Sequence, residues 1–101
     1  MNSEDHTEMD ENLVGPVIRT GALAEAVIDA VIDDNPEREV FVIERGDYVR
    51  IHTDHDCILT KASMEKHLGR NFDLAMIEAE MPSFKGRMQS TTEQMRWYYA
   101  T

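Results

Sequence analysis

Cysteine is nearly absent: the 101 residues include one, Cys57, so no internal disulfide can staple the fold. No apolar run approaches the length that crosses a bilayer, and the first residues lack a basic stretch followed by an apolar one. Neither a membrane helix nor a secretory signal is therefore expected. The five glycines, Gly15, Gly21, Gly46, Gly69 and Gly86, stand singly, which leaves no glycine-rich loop to cradle a phosphate. Basic residues are scarce: ten Lys and Arg against twenty Asp and Glu give a net charge of −10. That imbalance lies in residues 1–49, which hold thirteen acids and three bases, whereas residues 50–101 hold seven of each. Such a surface repels phosphate backbones, so no nucleic-acid partner is expected, while a basic protein surface would be attracted. These absences predict a cytoplasmic protein of a reducing compartment.

What is present is an ordinary globular balance, 42% apolar and 30% charged, on a chain long enough for one two-layer core. Residues 1–11 contain five acids, no Lys or Arg and little to bury. They are expected to be a disordered acidic tail, leaving residues 12–101 as one domain. Val14, Val17 and Ile18 suit a strand, and Pro16 within it argues for an edge position. Leu23, Val27 and Val31 recur every four residues, opposite Glu25, Asp29 and Asp33. This spacing predicts an amphipathic helix from Ala22 to Asp33, capped by Thr20 and stopped by Asp34-Asn35-Pro36.

Residues 39–44 and Tyr48–Thr53 read as two strands about an Arg45-Gly46-Asp47 turn. Asp54-His55-Asp56 reads as a hairpin tip before Cys57-Ile58-Leu59. A second helix follows, with Thr60 as cap, Leu59 and Met64 as a hydrophobic staple, and Gly69 just past its end. Ile77, Ala79 and Met81 alternate as in a strand, Pro82–Gly86 reads as a loop, and Met95–Tyr99 as a closing aromatic strand. Neighbouring strands broken by two helices, in the order β-α-β-β-α-β-β, indicate an α+β fold with mainly antiparallel sheet.

A catalytic centre is hard to assemble from these residues. His52, Asp54, His55, Asp56 and Cys57 are metal-ligand types, but they match no recognised ligand spacing, and a polar turn accounts for them as well. Cys57 and His55 would point apart on a strand, so Cys57 reads as a buried structural thiol rather than a nucleophile. His6 and His67 have no obvious partner, and Ser83 lacks a nucleophile elbow. Trp97, Tyr98 and Tyr99 read as sheet packing, and the seven methionines as gap-fillers or an adaptable contact surface. No cofactor or metal site is expected. An exposed Phe84, set among Pro82, Ser83 and Gly86, would be a contact hot spot, although it could equally fold back into the core.

Several segments in order resemble the effector, or coupling, proteins of soluble multicomponent diiron monooxygenases. They are Val14-Gly15-Pro16 with Arg19, Asp34-Asn35-Pro36, Tyr48-Val49-Arg50-Ile51, Ile58-Leu59-Thr60, Leu68-Gly69-Arg70 with Phe72, Ser83-Phe84 with Gly86, and Gln94 with Arg96-Trp97-Tyr98. The resemblance is nearer to the toluene, aromatic and alkene systems than to the methane one. It implies a non-catalytic, cofactor-free protein, monomeric when free, that binds the large subunit of a diiron hydroxylase. There it would tune oxygen activation, coupling, substrate access and regiospecificity. It also implies partner contacts at Glu80, Pro82, Ser83, Phe84 and Gly86, with Arg19, Arg70 and Arg87 as further candidates. Two other classes stay open from the residues: a small-molecule-binding regulatory domain, and a metal enzyme built on His52–Cys57.

Overall fold

The structure, a computed structural model, describes residues 12–100. The acidic tail expected over residues 1–11 lies outside the described residues. The elements run β1 (Leu13–Arg19), α1 (Ala22–Asp34), β2 (Phe41–Arg45), β3 (Tyr48–Asp54), β4 (Asp56–Thr60), α2 (Lys61–Leu68), α3 (Ala75–Ala79), β5 (Ser83–Lys85), β6 (Arg87–Ser90) and β7 (Gln94–Tyr98). Among the described residues two sheets form, β2-β3-β1-β5 and β4-β7-β6, and every strand pair is antiparallel. The expected α+β class holds, with three helices among the described residues instead of two.

Both sheets and α1 close on one core. Val14, Ile18, Val49 and Ile51 enter it from the first sheet, and Cys57, Leu59, Met95 and Trp97 from the second. Helix α1 contributes Val27 and Val31, while Met64, Leu74 and Ile77 fill the end under α2 and α3. The hairpin of β2 and β3 has the expected turn at Gly46-Asp47. In α2 the Thr60 hydroxyl accepts from the Ser63 N–H at 3.1 Å, and Gly69 ends the helix in the left-handed conformation, as expected.

Five expectations need correction. Strand β1 is not an edge strand: it lies between β3 and β5. Its ladder to β3 pairs Leu13 and Val14, then resumes at Val17, so Pro16 stands where no bond from β1 to β3 is needed. Thr20 does not cap α1; Gly21 occupies the cap position without a side-chain bond, and the Thr20 N–H donates to the Asp47 carbonyl at 2.8 Å. Residues 54–56 are not a hairpin tip, because β3 and β4 belong to different sheets and His55 turns the corner at φ 67°.

The segment read as a strand around Ile77–Met81 is helix α3 over much of its length. Its inward residues, Leu74 and Ile77, are three apart, and Asp73 starts the turn by accepting from the Ala75 N–H at 3.0 Å. Lastly, Pro82–Gly86 is not a plain loop: Ser83–Lys85 pairs with β1 as a short edge strand, and the separate strand β6 follows it.

Candidate docking surface

Two of the contact candidates, Ser83 and Phe84, lie on β5, which runs antiparallel to β1. The register sets Ser83 opposite Val17, Phe84 opposite Pro16 and Lys85 opposite Gly15. Beyond the ladder, the Arg19 N–H donates to the Glu80 carbonyl at 2.9 Å, which extends the edge back to α3. The Arg19 guanidinium lies 3.7 Å from the Glu80 carboxylate and 5.6 Å from the centre of the Tyr48 ring. Both partners of that ion pair are about half exposed, so it orients the side chains more than it stabilises the fold.

Arg70 reaches the same end from a different part of the chain. With Arg19 and Glu80 it lines a groove of about 350 Å³ whose apolar wall includes Leu23, Phe72 and Met76. Met76 is 60% exposed and Phe84 is 42% exposed. Phe84 is therefore a surface residue, which resolves the alternative left open by its sequence. Pro82, Ser83, Gly86, Arg70 and Arg87 are exposed as well. Among the described residues, no carboxylate stands within ion-pair distance of Arg70, Lys85 or Arg87.

Arg87 sits apart from Arg19 and Arg70, at the far end of the edge, where it opens β6 opposite Tyr98. Gly86 joins the two ends structurally. It lies at φ +95°, and a Cβ there would come within 2.8 Å of the Tyr98 carbonyl oxygen and 2.7 Å of Val14 Cγ1. The chain crosses from the first sheet to the second at this point, with room only for hydrogen. The sequence reading missed Met76 and Tyr48 as members of this surface. Met76 carried no usable signal, because its segment was read with the period of a strand.

The His52–Cys57 segment resolves into structural roles. Thr53 donates to the Asp56 carbonyl at 2.6 Å, and Arg96 grips the Asp56 carboxylate with bonds of 2.9 and 3.0 Å. Cys57 is fully buried, and burial pushes its thiol up to about 12, far from the thiolate a nucleophile needs. Among the described residues, no group of three or more His, Cys, Asp or Glu side chains could hold a metal ion. No described helix is long and apolar enough to cross a membrane.

A family model described as MmoB/DmpM matches residues 12–98. The chain is 71% identical over 99 residues to the effector subunit of an alkene monooxygenase system from Xanthobacter autotrophicus, covering 98% of both chains. In fold it is similar to a chain in a phenol hydroxylase–regulatory protein complex, with a TM-score of 0.75 at 22% identity over 87% of this chain and 99% of that one. It is also similar to the regulatory protein B of soluble methane monooxygenase, with a TM-score of 0.64 at 17% identity over 89% of this chain and 66% of that one.

Proposed function

The chain belongs to the MmoB/DmpM family, and from that premise we propose that it is the non-catalytic effector subunit of an alkene monooxygenase. One observation carries the reading: the end-to-end similarity to the Xanthobacter effector subunit. It favours the alkene system over the toluene and aromatic ones. The partner is the large subunit of a diiron hydroxylase, and the two meet in the cytoplasm.

The docking surface is the edge from Arg70 and Glu80 to Arg87, centred on Phe84. Four features support it. Phe84 is an exposed aromatic on a rigid edge, the kind of residue that dominates binding energy once desolvated. Arg70 and Arg87 lack carboxylate partners among the described residues and can pair with acidic groups across the interface. Strand β5 leaves one side of its backbone open to a partner. Gly86 holds that edge against the second sheet, so it is presented without slack.

The effector acts by differential binding. It stabilises the hydroxylase conformation that fits this edge, and it shifts the equilibrium by no more than its preference for that conformation. A coupling of this sort is typically worth about 1–3 kcal/mol. Oxygen chemistry stays with the hydroxylase, while the effector sets how often the productive conformation is populated.

Reconstitution with a candidate alkene hydroxylase and its reductase tests the reading. Adding the chain should raise epoxide formed per electron consumed. Phe84→Ala should raise the concentration needed for half-maximal effect by about ten-fold, the factor set by 1.4 kcal/mol. Unchanged rate, coupling and product distribution on adding the chain would sink the effector role. An effect that Phe84→Ala leaves intact would move the docking surface elsewhere.

A further inference from the structure

Among the described residues the first sheet ends in β2 and β5, and the second in β4 and β6. An edge strand presents backbone groups that another chain can pair with, so a fold has to manage each one. Three of these edges are accounted for. On β4 the Asn35 side chain bonds to the Ile58 N–H and carbonyl, and the Asp34 carboxylate accepts from the Thr60 N–H. Strand β5 is three residues long, carries Lys85 and belongs to the docking surface, and β6 is four long and opens on Arg87. The fourth edge, β2, runs five residues without proline or lysine, and its central Val42 is 41% exposed.

The hairpin turn decides which backbone groups of β2 are open. A two-residue loop, here Gly46-Asp47 with Gly46 at φ 61°, closes on a pair that exchanges both backbone bonds, Arg45 with Tyr48. Bonded and unbonded pairs alternate from there, so Arg45, Ile43 and Phe41 bond to β3. The N–H and carbonyl of Glu44 and Val42 therefore point the other way, where no described strand lies. Val40, just ahead of the strand, is next in that outward series. Glu39 and Arg45 bound the stretch and are both exposed. Among the described residues, neither has an opposite charge within ion-pair distance.

We propose that β2 pairs antiparallel with β2 of a second copy of this chain, about a symmetry axis at Val42. Parity and charge together select that register. Outward residues must meet outward residues, which confines the axis to a residue and excludes the points between residues. An axis at Val42 sets Val42 against its own copy and Val40 against Glu44, all with outward backbone groups. It also sets Phe41 opposite Ile43 and Glu39 opposite Arg45, apolar against apolar and acid against base. An axis at Ile43 would set Glu39 against Asp47, and one at Glu44 would set Glu44 against itself. Like charges directly opposite are destabilising. An axis at Phe41 would need residues 37 and 38 extended, but the chain turns there, with the Arg38 N–H donating to the Asn35 carbonyl at 3.1 Å. The contact is the same patch on both copies, so it closes as a dimer. Strands β2 and β5 are opposite edges of one sheet, so the pair leaves both docking edges open, and the inference does not rest on the docking reading. At dilution the chain stays the monomer that the resemblance implies, and the pair forms as concentration rises.

Amide hydrogen exchange and sedimentation of the full, unaltered chain over a dilution series test it. The Val42 and Glu44 amides should exchange freely in dilute solution and slow by at least about two-fold by about 1 mM, where half the chains or more are paired. Those of Ile43 and Arg45 should be protected at every concentration, and the sedimenting mass should rise towards that of a dimer. Arg45→Glu, which sets Glu39 against a second acid, should return the chain to a monomer. The charge swap Glu39→Arg/Arg45→Glu should restore the dimer, which poor folding of the single variant would not allow. A chain that stays monomeric to about 1 mM overturns the proposal. So does a dimer that forms without protecting Val42 and Glu44, one that Arg45→Glu leaves intact, or a swap that fails to restore pairing.

Discussion

The junction after α1 and the edge formed by β5 are both short, polar and bounded by proline, yet they use their polar groups in opposite directions. At the junction Asn35 is 3% exposed, and its side-chain amide donates to the Val31 and Ile58 carbonyls, both at 2.8 Å. Its oxygen accepts from the Ile58 N–H at 3.0 Å. Asp34 beside it accepts from the Thr60 N–H at 2.7 Å and from the Ser63 hydroxyl at 2.6 Å. A helix end, a strand and the cap of the next helix are thereby tied by two side chains. At the edge, Phe84 on β5, Arg87 at the start of β6 and Arg70 beyond α2 are all exposed. The contrast separates residues that hold the fold from the exposed residues proposed as contacts.

Breaking the junction should have the largest effect. Asn35→Ala strands the Ile58 N–H and carbonyl and should cost about 3 kcal/mol, read as a lowered midpoint in urea unfolding. Gly86→Ala probes where the two regions stop being separable. Its positive φ and the backed-up Tyr98 carbonyl should cost about 2 kcal/mol, although Gly86 lies on the exposed side. A smaller effect belongs to Asp33, whose carboxyl is held below its usual 3.8 by hydrogen bonds from His67 and then Lys66. A depressed acid contributes stability above its unfolded value and loses it as pH falls through the folded one. Thermal midpoints should therefore drop more steeply below pH 3.8 in the parent than in Asp33→Asn. Phe84→Ala should change the unfolding free energy of the isolated protein by no more than about 0.5 kcal/mol. A large loss there would erase the distinction between the two regions.

Much of the fold was legible because its signals are local. The four-residue rhythm of Leu23, Val27 and Val31, the Gly46 turn, and Thr60 with Gly69 around α2 each follow from neighbours in sequence. The misreadings occurred where a distant segment decides. Pro16 suggested an edge, but the outcome depended on β5 arriving seventy residues later to pair with β1. Asn35 read as a helix stop, and its larger role needed Ile58. Helix α3 was missed because Ile77, Ala79 and Met81 can be read with period two, while Asp73 and the pair Leu74 and Ile77 set the helical turn. Of the contact candidates, Glu80 to Arg87 lie together by chain continuity. Arg19 and Arg70 joined Glu80 at one groove only through the fold.

The crossing at Gly86 also leaves the β5 edge little room to move. A hinge needs room on both sides, and here one side is the Tyr98 backbone and the other the Val14 side chain. Load applied at Phe84 passes straight into the second sheet instead of being absorbed by a yielding loop. On the docking proposed above, the edge would act like the raised pattern of a die, keeping its own shape while the surface pressed against it takes the impression.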